Sequence, residues 1–110
     1  MGVITDTIRL HQLQGEKLDL QFKIQQITMT KMGLTHSCND LIKVGTDYDP
    51  ESPVMKTLQQ RQAKLKLLEE KLDHEMQQYQ IQLEMIEAEY KSCKQRLSQN
   101  IQEEFSYSFS

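Results

Sequence analysis

Apolar residues recur at seven-residue intervals in two long stretches of the chain. The first ladder consists of Leu13, Leu20, Ile27, Leu34 and Leu41. The second consists of Leu58, Leu65, Leu72, Tyr79 and Ile86, and one further step leads to Cys93. A heptad repeat of this kind places its members on one stripe of an α-helix that packs against another helix. The two ladders therefore predict two long helices, each with an apolar seam.

Two prolines separate the ladders and predict a turn between the helices. Gly45 is a candidate left-handed helix cap, and Ser52 is a suitable N-cap with Pro53 at the first helical position. Pro50 and Pro53 thus mark the hairpin turn. The predicted organisation is a single structural unit with a first helix over 1–45, a turn over 46–53, a second helix over 54–105 and an aromatic and serine tail over 106–110.

An antiparallel arrangement brings the two ladders into register. Leu41 then faces Leu58 beside the turn, and Leu13 faces Ile86 near the chain ends. Apolar side chains meet at every step, as a paired-helix seam requires. The predicted fold class is all-α, a long antiparallel two-helix coiled-coil hairpin.

The first helix carries a second apolar stripe away from this seam. Its members are Ile4, Ile8, Leu18, Phe22, Met29 and Met32. One partner helix cannot cover two faces, so the second stripe predicts an oligomer interface or a face for a partner protein. We expect a homo-oligomer, with a client or assembly protein as a further possible partner.

The end of the chain and the charges of the second helix suggest two further kinds of contact. Phe105, Tyr107 and Phe109 alternate with serines, which fits either a frayed end or a plug that contacts a neighbouring molecule. Basic and acidic residues alternate in bands, from the Lys56–Lys66 region to Glu103 and Glu104. The bands fit either a solvated face or a charge code that aligns neighbouring subunits.

Composition and motifs give no support to catalysis or cofactor binding. The 110 residues carry a net charge of -3, too near neutral to favour nucleic acid as a partner. No apolar run approaches membrane-spanning length, so we expect no membrane insertion. The histidines lack metal-ligand spacing, and the alternating acids after Thr46 resemble a calcium loop in which Ser52 replaces the glycine. We expect no enzyme, no cofactor and no metal.

Two cysteines are present, at positions 38 and 93. In the antiparallel register they lie far apart, because Cys93 falls near Asp6 and Cys38 falls near Arg61. A disulfide within one hairpin is therefore excluded, because the Cα atoms of bonded cysteines must lie within about 7 Å of each other. We expect buried thiols in the seam, with a bond between subunits as the alternative.

The segment from Asp49 to Gln59 resembles the proline-x-x-proline turn of type III secretion needle subunits. In that family, two prolines three residues apart join the helices of a hairpin. The resemblance implies a turn role for Pro50 and Pro53, and a subunit that is exported unfolded without a cleaved signal and packs around a helical axis. The chain departs from the family in its length, in its more regular first heptad ladder and in its aromatic tail.

These features predict a non-enzymatic, self-assembling structural subunit of a secretion-apparatus or surface filament. The alternative is a small coiled-coil adaptor or export chaperone that binds an amphipathic helix of a client. The first thirty residues show no basic stretch followed by an apolar run, so no cleaved secretory signal is expected. The expected location is cytoplasmic, or extracellular after export by a signal-independent system.

Overall fold

The computed structural model describes residues 2–109, apart from the side chain of Phe109, and shows an all-α helical hairpin. Helix α1 spans Val3–Gly45 and helix α2 spans Pro53–Phe109. No strand occurs within the described residues. The predicted all-α hairpin is confirmed.

The connection between the helices is held by local hydrogen bonds. The Ser52 backbone N–H donates to the Asp49 carbonyl at 3.0 Å, and the Glu51 N–H donates to the Asp49 carboxylate at 3.2 Å. The Ser52 hydroxyl then accepts a bond from the Met55 N–H at 3.1 Å, which satisfies one of the unpaired donors of the first turn of α2. Ser52 is therefore the N-cap of α2, and the helix begins at Pro53.

Helix α1 ends without the left-handed glycine that its sequence suggests. No glycine within residues 2–109 has a positive φ, so the prediction for Gly45 is wrong. The helix instead ends in hydrogen bonds of the 3₁₀ type. The Asp47 N–H donates to the Val44 carbonyl, and the Tyr48 N–H donates to the Gly45 carbonyl. A Cβ atom at Gly45 would lie 3.4 Å from the Met55 sulfur, which is an ordinary van der Waals contact, so the packing of α2 does not require a glycine at this position.

Helix α2 continues past its predicted end at residue 105. It reaches Phe109, and the Ser108 hydroxyl donates to the Glu104 carbonyl at 2.9 Å within the last turns. The alternation of aromatic and serine residues suggested either a frayed end or a plug that contacts a neighbouring molecule. An existing helix adds a backbone hydrogen bond with each residue, however, and this gain exceeds the modest propensity cost of these residue types.

The hairpin divides into two compact units. The terminal unit combines the residues up to Lys23 with those from Tyr79 onward, and the turn unit comprises Ile24–Gln78. Each unit contains one segment of α1 and one segment of α2.

The terminal unit has a tight apolar seam with polar contacts across it. Leu13 and Cys93 have no exposed surface, and Leu20 is buried. The Cys93 thiol donates to the Asp6 carbonyl at 3.3 Å, and Asn100 donates to the Asp6 carboxylate at 2.7 Å. The predicted proximity of Cys93 to Asp6 thus appears directly in the structure. Because Arg9, later in α1, bonds to Glu89, earlier in α2, the two segments run antiparallel.

Charged pairs flank the same seam. The Arg9 guanidinium donates to the Glu89 carboxylate at 2.6 Å, and this hydrogen bond raises the pKa of Arg9. Lys17 lies 3.9 Å from Glu87, and the Lys23 ammonium lies 5.5 Å from the centre of the Tyr79 ring. Pairs of this kind add specificity of register more than stability, because their side chains remain partly in water.

The turn unit is packed less closely. Among its large apolar side chains only Ile27 is buried, and the leucines of its seam are half-buried. Lys31 forms an ion pair with Asp73 across the helices. The long lysine side chain lets the ammonium reach Asp73 while its stem covers apolar surface.

Candidate assembly surfaces

The residues assigned to the seam are all buried or half-buried. Leu13, Leu20 and Ile27 are buried. The others are half-buried, namely Leu34, Leu41, Leu58, Leu65, Leu72, Tyr79 and Ile86. A pair of helices covers a narrow stripe, so most seam side chains keep an edge in solvent.

The second apolar stripe of α1, here called the outer face, is exposed along its length. Its members have exposed fractions between 54% and 78%, and they are Ile4, Ile8, Leu18, Phe22, Met29 and Met32. Gly15 lies at a matching helical spacing between Ile8 and Leu18, and a Cβ atom there would meet nothing within 4 Å. Within each unit the outer face is therefore open to solvent.

A groove runs between the two helices of the turn unit, near the connection. Its floor is apolar and consists of Leu41, Val44, Leu65 and Leu68, and its volume is about 490 Å³. Ser37, Asp40, Arg61 and Lys64 form its rim. The size lies within the range of about 300–1,000 Å³ that is common for binding pockets. Apolar side chains framed by charges are typical of a surface that receives part of another helix.

The rim cations of this groove are available for an additional contact. Neither Arg61 nor Lys64 forms an ion pair within residues 2–109. Asp40 lies 3.7 Å from His36 on its own helix. The rim therefore carries two cations without an ion pair among the described residues, and the Asp40 carboxylate, which lies near His36.

The tail predicted to make contacts is the helical end of α2. Phe105 and Tyr107 are exposed by 66% and 86%, whereas the Phe109 side chain lies outside the described part of the chain. Ile101 is also exposed and lies one turn before Phe105. Glu103 and Glu104 precede the aromatic residues, and neither carboxylate forms an ion pair within the described chain.

The turn prolines are exposed and support the connection rather than forming a site. Pro50 precedes the Ser52 cap, and Pro53 supplies the first residue of α2, where its missing N–H leaves no bond unmade. Their positions agree with the turn that the sequence predicts. They line none of the grooves described above.

No arrangement for metal or nucleophilic chemistry is found among the described residues. No group of three histidine, cysteine or acidic side chains there could hold a metal ion. His11, His36 and His74 are all exposed. Cys38 and Cys93 are both free thiols, the first half-buried and the second buried.

Several residues that hold or shape these surfaces are not predicted by the heptad pattern. Asn100 bonds the Asp6 carboxylate, and Val44 and Leu68 line the groove although they are not members of the ladders. The asparagine gives no sequence signal, because its partner comes from the distant helix. Leu68 could have been recognised, since it lies three residues after Leu65 on the same helix face.

Comparison with known protein families, with curated proteins and with solved structures gives no significant match for this chain. Neither α1 nor α2, as far as described, contains a stretch apolar and long enough to cross a bilayer. The surfaces themselves are thus the basis for a functional proposal.

Proposed function

We propose that this chain is a non-enzymatic structural subunit that assembles with copies of itself, as part of a secretion-apparatus or surface filament. The observation that carries the proposal is the amount of apolar surface that the hairpin leaves uncovered. Within the described part of the chain, four apolar side chains are buried, whereas seventeen large ones are exposed. Burial of apolar surface is the main driving force for association between proteins.

The total accessible surface also indicates that the hairpin leaves surface uncovered for association. A folded monomer of 13.0 kDa has an accessible surface of about 6,300 Å² by the usual scaling with mass. This chain has 8702 Å². The difference, about 2,400 Å², exceeds the roughly 800 Å² that each partner buries in a standard interface. The hairpin therefore has surface to spare for more than one contact with neighbours.

The outer face of α1 is the preferred lateral contact. Leu18 and Phe22 are each about 60% exposed and lie one helical turn apart. Gly15, one turn before Leu18, leaves open space above the helix into which a large side chain of a neighbour can pack. Aromatic side chains packed into such spaces commonly supply most of an interface's energy.

The filament form of the assembly follows from the resemblance of the turn to type III secretion needle subunits. Pro50 and Pro53 stand where that family has its two turn prolines, and the resemblance supports side-by-side packing of hairpins around an axis. The exposed, helical end of α2 supplies a second surface for contacts along such an axis.

The test is a single charge placed on the outer face. Phe22→Glu should abolish concentration-dependent assembly and leave the hairpin folded, because Phe22 is 60% exposed and is not one of the buried core residues. Light scattering on size-exclusion fractions over a hundredfold concentration range measures assembly, and negative-stain microscopy shows its form. Circular dichroism reports the fold.

Gln80→Glu is the matched control, since it adds the same charge at an exposed position of α2. It should assemble as the unmodified chain does. Loss of the helical signal in Phe22→Glu would show that Phe22 supports the hairpin and that the faces are misassigned. A constant small oligomer for the unmodified chain at every concentration would overturn the filament proposal.

A second candidate function is an adaptor or export chaperone that binds an amphipathic helix of a client. Met29 and Met32 favour it, because both are well exposed and methionine adapts to differently shaped partners. Such a protein stays a small oligomer of fixed size and gains thermal stability when the client is added. A filament subunit grows without any other protein, so the scattering experiment separates the two functions.

A further inference from the structure

We propose that the end of α2 from one copy docks into the turn-unit groove of the next copy, forming a head-to-tail contact along the filament. This inference rests on the proposed self-assembly and identifies a second interface for it. The outer face of α1 joins neighbours side by side. The contact proposed here instead joins two different surfaces, the groove and the tail.

The tail presents a compact ridge of the right kind for such a groove. Ile101, Glu104, Phe105 and Ser108 follow the spacing that places residues on one face of a helix. Ile101 and Phe105 are exposed by 50% and 66%, and they form the apolar part of the ridge. Glu104 lies beside them and adds a negative charge. This is the pattern of an amphipathic helix that binds in an apolar groove.

The groove is complementary to the ridge in both apolar surface and charge. Its apolar floor includes Val44 and Leu68, each nearly half exposed, and can receive the Phe105 ring. Arg61 and Lys64 on the rim have no ion-pair partner within the described chain, and neither does Glu104. Docking brings these opposite charges together at the edge of an apolar contact, where they select the partner and its orientation.

The occupant of the groove is a second copy, because the groove and the tail of one molecule lie on the same continuous helix. Leu65 in the groove and Phe105 in the tail belong to one continuous helix. An unbroken helix cannot fold back to place its own end against its own beginning. The tail that enters the groove therefore comes from another molecule.

A contact between two different surfaces leaves one free groove and one free tail at the ends of every complex. Such heterologous contacts produce rings when the rotation closes and open helical polymers when it does not. Growth in this arrangement uses the side-by-side contact as well, and two contacts together bind more tightly than either alone. Loss of either contact should therefore stop growth.

Charge reversal tests the contact directly in the full-length chain. Glu104→Lys and Lys64→Glu should each raise the concentration needed for polymer formation by at least about fivefold, because each places like charges together. The double variant restores an attractive pair and should polymerise near the original concentration. Sedimentation velocity across a concentration series measures polymer mass, and circular dichroism verifies the fold of each variant.

Two matched controls carry the same charge changes outside the proposed contact. Glu70→Lys and Lys94→Glu alter exposed positions of α2 that line neither the groove nor the ridge. Both should polymerise like the unmodified chain. For the apolar part, Phe105→Ala should reduce polymer mass, whereas Met85→Ala, which truncates an equally exposed side chain, should not.

The outcomes separate this inference from the proposed function. Polymers of the unmodified chain together with unchanged assembly of Glu104→Lys, Lys64→Glu and Phe105→Ala would overturn the tail contact and leave self-assembly standing. A weakened double variant, with no recovery over the single ones, would also overturn it. An unmodified chain of fixed size at all concentrations would overturn both proposals.

Discussion

The terminal unit and the turn unit are built from the same two helices, yet they hold those helices together by different means. The terminal unit has Leu13 and Cys93 fully buried, and polar bonds from Asp6 and Arg9 cross its seam. The turn unit has a looser seam, one cross-helix ion pair and an open apolar groove. The difference follows from chain connectivity, because a short connection already keeps its two helix segments close.

The turn unit can leave apolar side chains exposed for binding, whereas the terminal unit needs its side chains to hold the helices together. Side chains of the terminal unit are needed to hold two chain ends together, since no covalent link does so there. In the turn unit the connection performs that task, and Val44 and Leu68 can remain partly exposed. The turn unit thus combines few cross-helix bonds with a groove whose lining is largely apolar.

The largest expected effect that tests this comparison comes from the buried seam. Leu13→Ala should lower the free energy of unfolding by about 3 kcal/mol, because it removes a fully buried side chain and leaves a cavity. Leu34→Ala, at a half-buried position of the turn unit, should cost about half as much. Urea denaturation at one low protein concentration measures both. Equal costs would contradict the difference in packing between the units.

A smaller effect is expected from the polar bond that closes the terminal unit. Asn100→Ala should lower the free energy of unfolding by about 1.5 kcal/mol, since it leaves the half-buried Asp6 carboxylate without its 2.7 Å hydrogen bond. Asn39→Ala is the control at an exposed helical position, where alanine is the better helix former and stability should not fall. A harmless Asn100→Ala would mean that apolar packing alone joins the chain ends.

The smallest expected effect concerns the cap beside the turn. Ser52→Ala should cost about 1 kcal/mol, because the Met55 N–H loses its side-chain acceptor. Hydrogen exchange should quicken at the start of α2 more than in the terminal unit. Ser92→Ala, inside the exposed part of α2, should leave both quantities unchanged or slightly improved. Uniformly faster exchange would show that the cap supports the whole hairpin rather than its local end.

The sequence by itself determined the hairpin and its faces. The heptad ladders of Leu, Ile and Tyr residues define one stripe on each helix, and Ser52 with Pro53 specifies where α2 begins. The exposed outer face was also predictable, since Phe22 and its neighbours recur on a helix side that the partner helix cannot cover. Each of these features depends on residues close together along one helix.

The tertiary structure alone decided the features that join distant parts of the chain. The bond from Asn100 to Asp6 and the groove between Val44 and Leu68 need both helices in place, and spacing along either helix does not encode them. The φ angle of Gly45 is not positive, so this residue departs from the usual preference of a helix-ending glycine. Periodicity identifies which side of a helix is covered, whereas depth of burial and groove shape depend on the fit between two surfaces.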